Sequence, residues 1–388
     1  MKRIRKRLYG ILCLSMSFLL CSCGQSSVKD KDFSELTTPG SQEDAYEYRT
    51  FFLPAKDGPI QPYVGDTMPY YEDGVYYIYY LKEGGDSYNH SIYLTTTKDF
   101  VTYTEQDEVV IEASDTGQDA WIGTGSVVKA GGKYYFFYTG HADSADVEYK
   151  EKIMVAEGDD LTAFHKIPGW EITPPDDLGQ KNDFRDPQAY YDPDTDTISL
   201  TITASKDNVA RILKYTVSSD LQETNYDGII FTNTEGDFWN LECSDTFKIG
   251  DKWYLTYSAQ DDTLWYASAD EQFGPYSEAK RLDGKLFYAA KHVEDGENTY
   301  MAGWARRSES PASTRSVSAW AGNLVVQKLV QKENGDLALA PADTVMQQFQ
   351  NKRKLLSGDT QMSVGAGDTY QYADVCTCYE RFLLKGNF

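Results

Sequence analysis

Three carboxylates stand in matching places along this chain. They are Asp66 in Tyr63-Val-Gly-Asp-Thr-Met-Pro-Tyr-Tyr71, Asp186 in Asp183-Phe-Arg-Asp-Pro-Gln188, and Glu242 in Asp237-Phe-Trp-Asn-Leu-Glu-Cys-Ser244. Glu242 is flanked by Trp239, Leu241 and Cys243, an apolar strand end. An acid in such a place is costly to ionise, so burial raises its pKa and keeps its proton on. That is the state a general acid needs at neutral pH. The alternatives are plain: a surface glutamate at a loop edge, and turn aspartates before Thr67 and Pro187. What decides between them is whether the chain brings the three acids together.

The elements around them repeat. Asp73-Gly-Val-Tyr-Tyr-Ile-Tyr-Tyr-Leu81 is a turn followed by an aromatic, β-branched strand. Residues 131–140, 194–203, 250–257 and 296–304 repeat it at intervals of 47 to 64 residues. After each copy comes a second β-like run, such as Ile92-Tyr-Leu-Thr95 or Leu264-Trp-Tyr-Ala267. Five units of several antiparallel strands each predict a five-bladed β-propeller in an all-β chain. Each acid comes just before the hairpin of its own unit, and the acids lie 120 and 56 residues apart, about two blades and one blade. In a propeller, that shared register brings them to one end of the central axis.

The N-terminus is read apart from the fold. Lys2, Arg3, Arg5, Lys6 and Arg7 precede an apolar run, Ile11 to Leu20, too short to span a bilayer comfortably. It closes on Leu20-Cys-Ser-Cys-Gly24, a sequence similar to a bacterial lipobox with Cys23 as the acylated residue. Residues 1–22 then form a lipoprotein signal peptide and residues 23–45 a polar tether. The expected location is the cell surface, with the membrane touched through the lipid alone. The signal peptide carries five cations and no acid in a chain whose formal charge is already −23. So acidic a surface disfavours nucleic acid and anionic ligands and suits a neutral oligo- or polysaccharide. Beyond the lipobox only Cys243, Cys376 and Cys378 remain, too few for a disulfide framework. His90, His141, His165 and His292 lack metal-ligand spacing and read as ordinary surface or core residues. No metal and no organic cofactor is expected.

Arg185-Asp-Pro187, Glu242-Cys243, Ala302-Gly-Trp304 and Trp320-Ala-Gly-Asn-Leu-Val-Val-Gln-Lys-Leu329 resemble, in order and spacing, the motif series of glycoside hydrolase family 32, the invertases, levanases and inulinases. The resemblance implies that Asp66 is the nucleophile, Glu242 the acid/base, and Asp186 the carboxylate that holds fructosyl hydroxyls. It further implies that Arg185, Trp121, Thr124, Ser126 and Trp239 bind substrate, and that residues 335–341 lead out toward a second domain. Two departures bear on substrate preference: Gly65 stands where the family has a sugar-contacting Asn, and Leu81 where a Gln often follows the first strand.

The expected layout is therefore a catalytic propeller over residues 46–345, followed by residues 346–388 as a short, truncated start of a C-terminal β-sandwich. The expected activity is cleavage of β-fructosidic bonds in fructans or sucrose-type sugars, with retention through a fructosyl-enzyme intermediate. Two other readings stay open. One is an inverting hydrolase like the arabinofuranosidases and xylosidases of the related five-bladed family. The other is a lipoprotein that binds glycans without cleaving them.

Overall fold

A computed structural model describes residues 50–349, apart from 57–60, 85–88, 145–146, 179–182, 235, 286 and 309–317. The signal peptide, Cys23, the tether and nearly all of the C-terminal segment lie outside the described residues. Among the described residues, twenty strands fall within one compact unit, Glu47–Met346.

They form five blades of four antiparallel strands. Blade one is β1 (Tyr63–Glu72), β2 (Val75–Glu83), β3 (Ile92–Thr97) and β4 (Tyr103–Glu105). Blade two is β5 (Trp121–Ala130), β6 (Lys133–His141), β7 (Glu151–Gly158) and β8 (His165–Ile172). Blade three is β9 (Arg185–Asp192), β10 (Thr197–Lys206), β11 (Val209–Ser218) and β12 (Thr224–Thr232). Blade four is β13 (Leu241–Ile249), β14 (Lys252–Ala259), β15 (Thr263–Ala269) and β16 (Lys280–Asp283). Blade five is β17 (Phe287–Glu294), β18 (Thr299–Ser308), β19 (Ser318–Gln331) and β20 (Leu337–Pro341). The chain is thus a five-bladed β-propeller. Residues 335–341 include the outermost strand of blade five.

Burial explains the strand sequences. Second strands such as β6, with Tyr134 to Gly140 all buried, are covered on both faces by neighbouring blades and therefore read as continuous apolar runs. The outermost β12 is largely exposed and polar at its start. Separate cores fill successive blade interfaces. Tyr79 meets Phe136 between blades one and two, and Phe137 shares a core with Leu200 and Tyr215 between two and three. Ile212 packs with Leu241 between three and four, and Phe247 with Met301 between four and five. The ring closes between blades five and one, where Val64 pairs with Gly322 and Phe52 exchanges two 3.0 Å backbone hydrogen bonds with Leu324.

One irregularity recurs in every blade. Each innermost strand carries one residue more than its partner at the same height: between Val64 and Thr67 on β1, Gly123 and Gly125 on β5, Arg185 and Gln188 on β9, Glu242 and Asp245 on β13, and Tyr288 and Lys291 on β17. Such a bulge bends the strand and re-aims its side chains. Asp186, Cys243 and Ala289 sit in it with φ of 60°, 53° and 50°, a left-handed conformation rarely held by residues other than Gly. Five bulges in register surround the end of the axis where the acids meet.

Candidate active site

Asp66 lies in the bulge of β1 and accepts two hydrogen bonds. The Thr124 hydroxyl of blade two donates to Oδ2 at 2.7 Å, and the Trp304 indole N–H of blade five donates to Oδ1 at 3.0 Å. Burial pushes its carboxyl above the usual range, and the Glu242 charge adds to this, while Thr124 and Trp304 pull back.

Asp186, in the bulge of β9, is buried. Its backbone N–H donates to Thr139 Oγ1 at 2.9 Å, and its Oδ2 accepts the Cys243 backbone N–H at 2.8 Å. Burial pushes this carboxyl up to about 7; Arg185 opposes the shift, and the charges of Glu242 and Asp66 add to it. The three acids therefore feel one another, as their shared register in the sequence predicts.

Glu242 begins the bulge of β13. Its Oε1 accepts from Arg185 Nη2 at 2.9 Å, and its Oε2 accepts from the Tyr288 hydroxyl at 2.5 Å. One oxygen thus faces a cation and the other a phenol. Trp239 stands beside it, 40% exposed, with the Arg185 guanidinium 5.7 Å from its ring centre. A cleft of about 790 Å³ opens next to Trp239, lined among others by Asp183, Asp207, Asn208, Asn233 and Asp237. Trp121, 43% exposed, opens β5 on blade two.

One expectation needs correction. Ser126 does not line the pocket: it is buried, donates to Pro187 O at 3.0 Å and accepts from the Ala189 N–H at 2.9 Å, so it fastens blade two to blade three. Three of the histidines have partners from elsewhere in the fold. His90 stacks on Trp320 with 4.5 Å between ring centres and meets the edge of Trp121 at 5.4 Å. His141 places Nδ1 3.3 Å from Glu151, a carboxylate that also holds Arg185. His292 pairs with the buried Asp245 at 2.7 Å. Spacing in sequence carries no sign of these meetings, because each partner comes from another strand or loop.

Gly65 has a spatial reason. A Cβ there would lie 2.2 Å from Trp320 Cη2, so the indole fills the space that an Asn side chain would need. Among the described residues no group of three or more His, Cys, Asp or Glu could hold a metal ion.

Residues 66–341 match the glycosyl hydrolases family 32 N-terminal domain. The chain belongs to glycoside hydrolase family 32. It is 28% identical over 282 residues to the sucrose-6-phosphate hydrolase of Escherichia coli, covering 66% of this chain and 57% of that protein. It is 27% identical over 244 residues to the raffinose invertase of Escherichia coli, covering 57% of this chain and 50% of that one. The family 32 chain thus spans about half the length of these curated relatives. Its fold is similar to that of fructan 1-exohydrolase IIa from Cichorium intybus, with a TM-score of 0.63 at 18% identity over 78% of this chain and 63% of the other.

Proposed function

We propose that this family 32 chain hydrolyses β-fructosidic bonds in neutral fructosides, fructans or sucrose-type sugars, with retention of configuration. The observation that carries the reading is the contrast between two carboxylates at one end of the axis. Asp66 accepts hydrogen bonds from neutral donors on both oxygens, while Glu242 lies between Arg185 and Tyr288.

In the first step an Asp66 oxygen attacks the anomeric carbon of the fructosyl unit as the bond to the leaving oxygen breaks. Glu242 gives that oxygen its proton, and a fructosyl ester forms on Asp66. In the second step Glu242 takes a proton from water, whose oxygen attacks the same carbon and frees Asp66. Asp186 accepts hydrogen bonds from fructosyl hydroxyls, which strengthen as positive charge develops on the ring.

The cleft next to Trp239 supports a neutral leaving group, because Asp183, Asp207 and Asp237, which line it, oppose a phosphate there. An exposed indole offers a face on which a sugar can stack. Sugar release from a panel of β-fructosides and arabinosides tests the activity. Release from arabinosides alone, or from nothing in the panel, would remove the proposal.

The chain is further proposed to be a surface lipoprotein held by Cys23, a reading that rests on the lipobox-like Leu20-Cys-Ser-Cys-Gly24. Fatty-acid labelling should be lost in Cys23→Ser and kept in Cys21→Ala. The reverse pattern would overturn it.

A further inference from the structure

Arg185 is gripped by three carboxylates from three parts of the ring. Nη2 binds Glu242 at 2.9 Å; Nη1 binds Asp183 at 3.0 Å and Glu151 at 3.1 and 3.3 Å. Glu151 opens β7 on blade two and is buried, and its Oε2 also accepts the Phe184 backbone N–H at 2.7 Å. One side chain of blade two therefore holds both the backbone of residue 184 and the guanidinium of residue 185.

A residue that must carry a proton at the start of the reaction works poorly in the undivided field of a nearby cation, which favours the ionised form. Glu151 and Asp183 divide that field. Glu151 is the better placed of the two, since it is the more buried and is anchored by a backbone N–H as well.

We propose that Glu151 is a positioning residue for the general acid: it takes up much of the Arg185 charge and fixes the guanidinium, so that Glu242 is aimed by Arg185 and still free to bear a proton. This rests on the reading of Glu242 as the proton donor.

The test compares kcat and KM on two kinds of substrate. One is whichever of sucrose, inulin or levan the wild type cleaves, where the leaving group needs a proton; the other is a nitrophenyl β-fructofuranoside, where it needs little. Glu151→Gln keeps the shape and can still accept from Phe184 but loses the charge. It should lower kcat on the sugar substrate by about 10- to 100-fold, change KM by less than about threefold, and lower kcat on the nitrophenyl substrate by less than about threefold.

Equal losses on both substrates, or a rise in KM alone, would overturn the proposal and leave Glu151 a structural brace. Glu151→Asp, which keeps the charge but withdraws it by one methylene, should show a smaller split of the same kind and serves if Glu151→Gln does not fold. Glu242→Gln is the control. If it shows no preference for the nitrophenyl substrate, the reading of Glu242 fails and takes this proposal with it. If Glu242→Gln shows the preference and Glu151→Gln does not, only the role of Glu151 is lost.

Discussion

The hydroxyl of Thr124 lies 2.7 Å from Oδ2 of Asp66, a bond that reaches from the second blade to the first. A hydrogen bond to an ionised acceptor is stronger than one between neutral groups. Thr124→Val removes the donor at nearly constant shape and should lower kcat/KM by about 10- to 100-fold, whereas Thr124→Ser should stay within about threefold of wild type. Steady-state kinetics decide it. An equal loss in both variants would show that the methyl group, not the hydroxyl, is what matters.

Asp66 and Glu242 are expected to present their carboxyl groups about 5–5.5 Å apart in the substrate complex, the separation used for retention. Asp66→Asn should then abolish turnover of every substrate, activated or not. NMR of the first fructose released by the wild type should show the configuration of the starting bond. An inverted first product would favour the direct attack of water instead.

Asp186 predicts a dependence of stability on pH. Its carboxyl is raised in the folded chain, to about 7, from an ordinary value of 3.8. The folded state therefore holds this proton more tightly than the unfolded state does. The associated stability is fully present below the ordinary value and is lost as pH rises through about 7. Asn at this position stays neutral throughout and can still accept the Cys243 N–H. Thermal melts of Asp186→Asn should gain on wild type by up to about 4 kcal/mol between about pH 4 and pH 8, with activity lost. A difference that stays flat with pH would refute this.

The acid limb of activity belongs to Asp66. It must be ionised to attack, and its carboxyl is raised, first by burial. The rate should fall, on acidification, at a pH above the ordinary carboxylate range. A kcat/KM profile still level at about pH 4 would contradict it.

Gly65 and Trp320 are coupled by space. Gly65→Ala puts a Cβ within 2.2 Å of the indole and should cost about 1–3 kcal/mol of stability. In a Trp320→Leu background the same change should cost less, by at least about 0.5 kcal/mol. Additive losses in the double-mutant cycle would show that the two do not press on each other.

The blades and the chemical types at the site were legible in the order of residues alone. Turn residues such as Asp73-Gly74 and Gly250-Asp251, followed by aromatic strands, are local signals, and a hairpin needs nothing more distant to form. The recurrence of those hairpins was enough to predict a propeller. The places of Asp66, Asp186 and Glu242 before them were enough to predict that the acids converge.

How they converge, and what holds them, depends on contacts between blades. In three of the five inner strands the extra residue has no mark in composition: Asp186, Cys243 and Ala289 take a left-handed conformation without being Gly. The packing of neighbouring blades has to enforce it. Glu151 reaching Arg185, Thr124 reaching Asp66, and Ser126 turning toward Pro187 instead of the pocket are all meetings between blades. Strand pairing is set by neighbours in sequence, but the rotation of one blade against the next is set by side chains packed across each interface, and a side chain's aim at the axis follows from that packing.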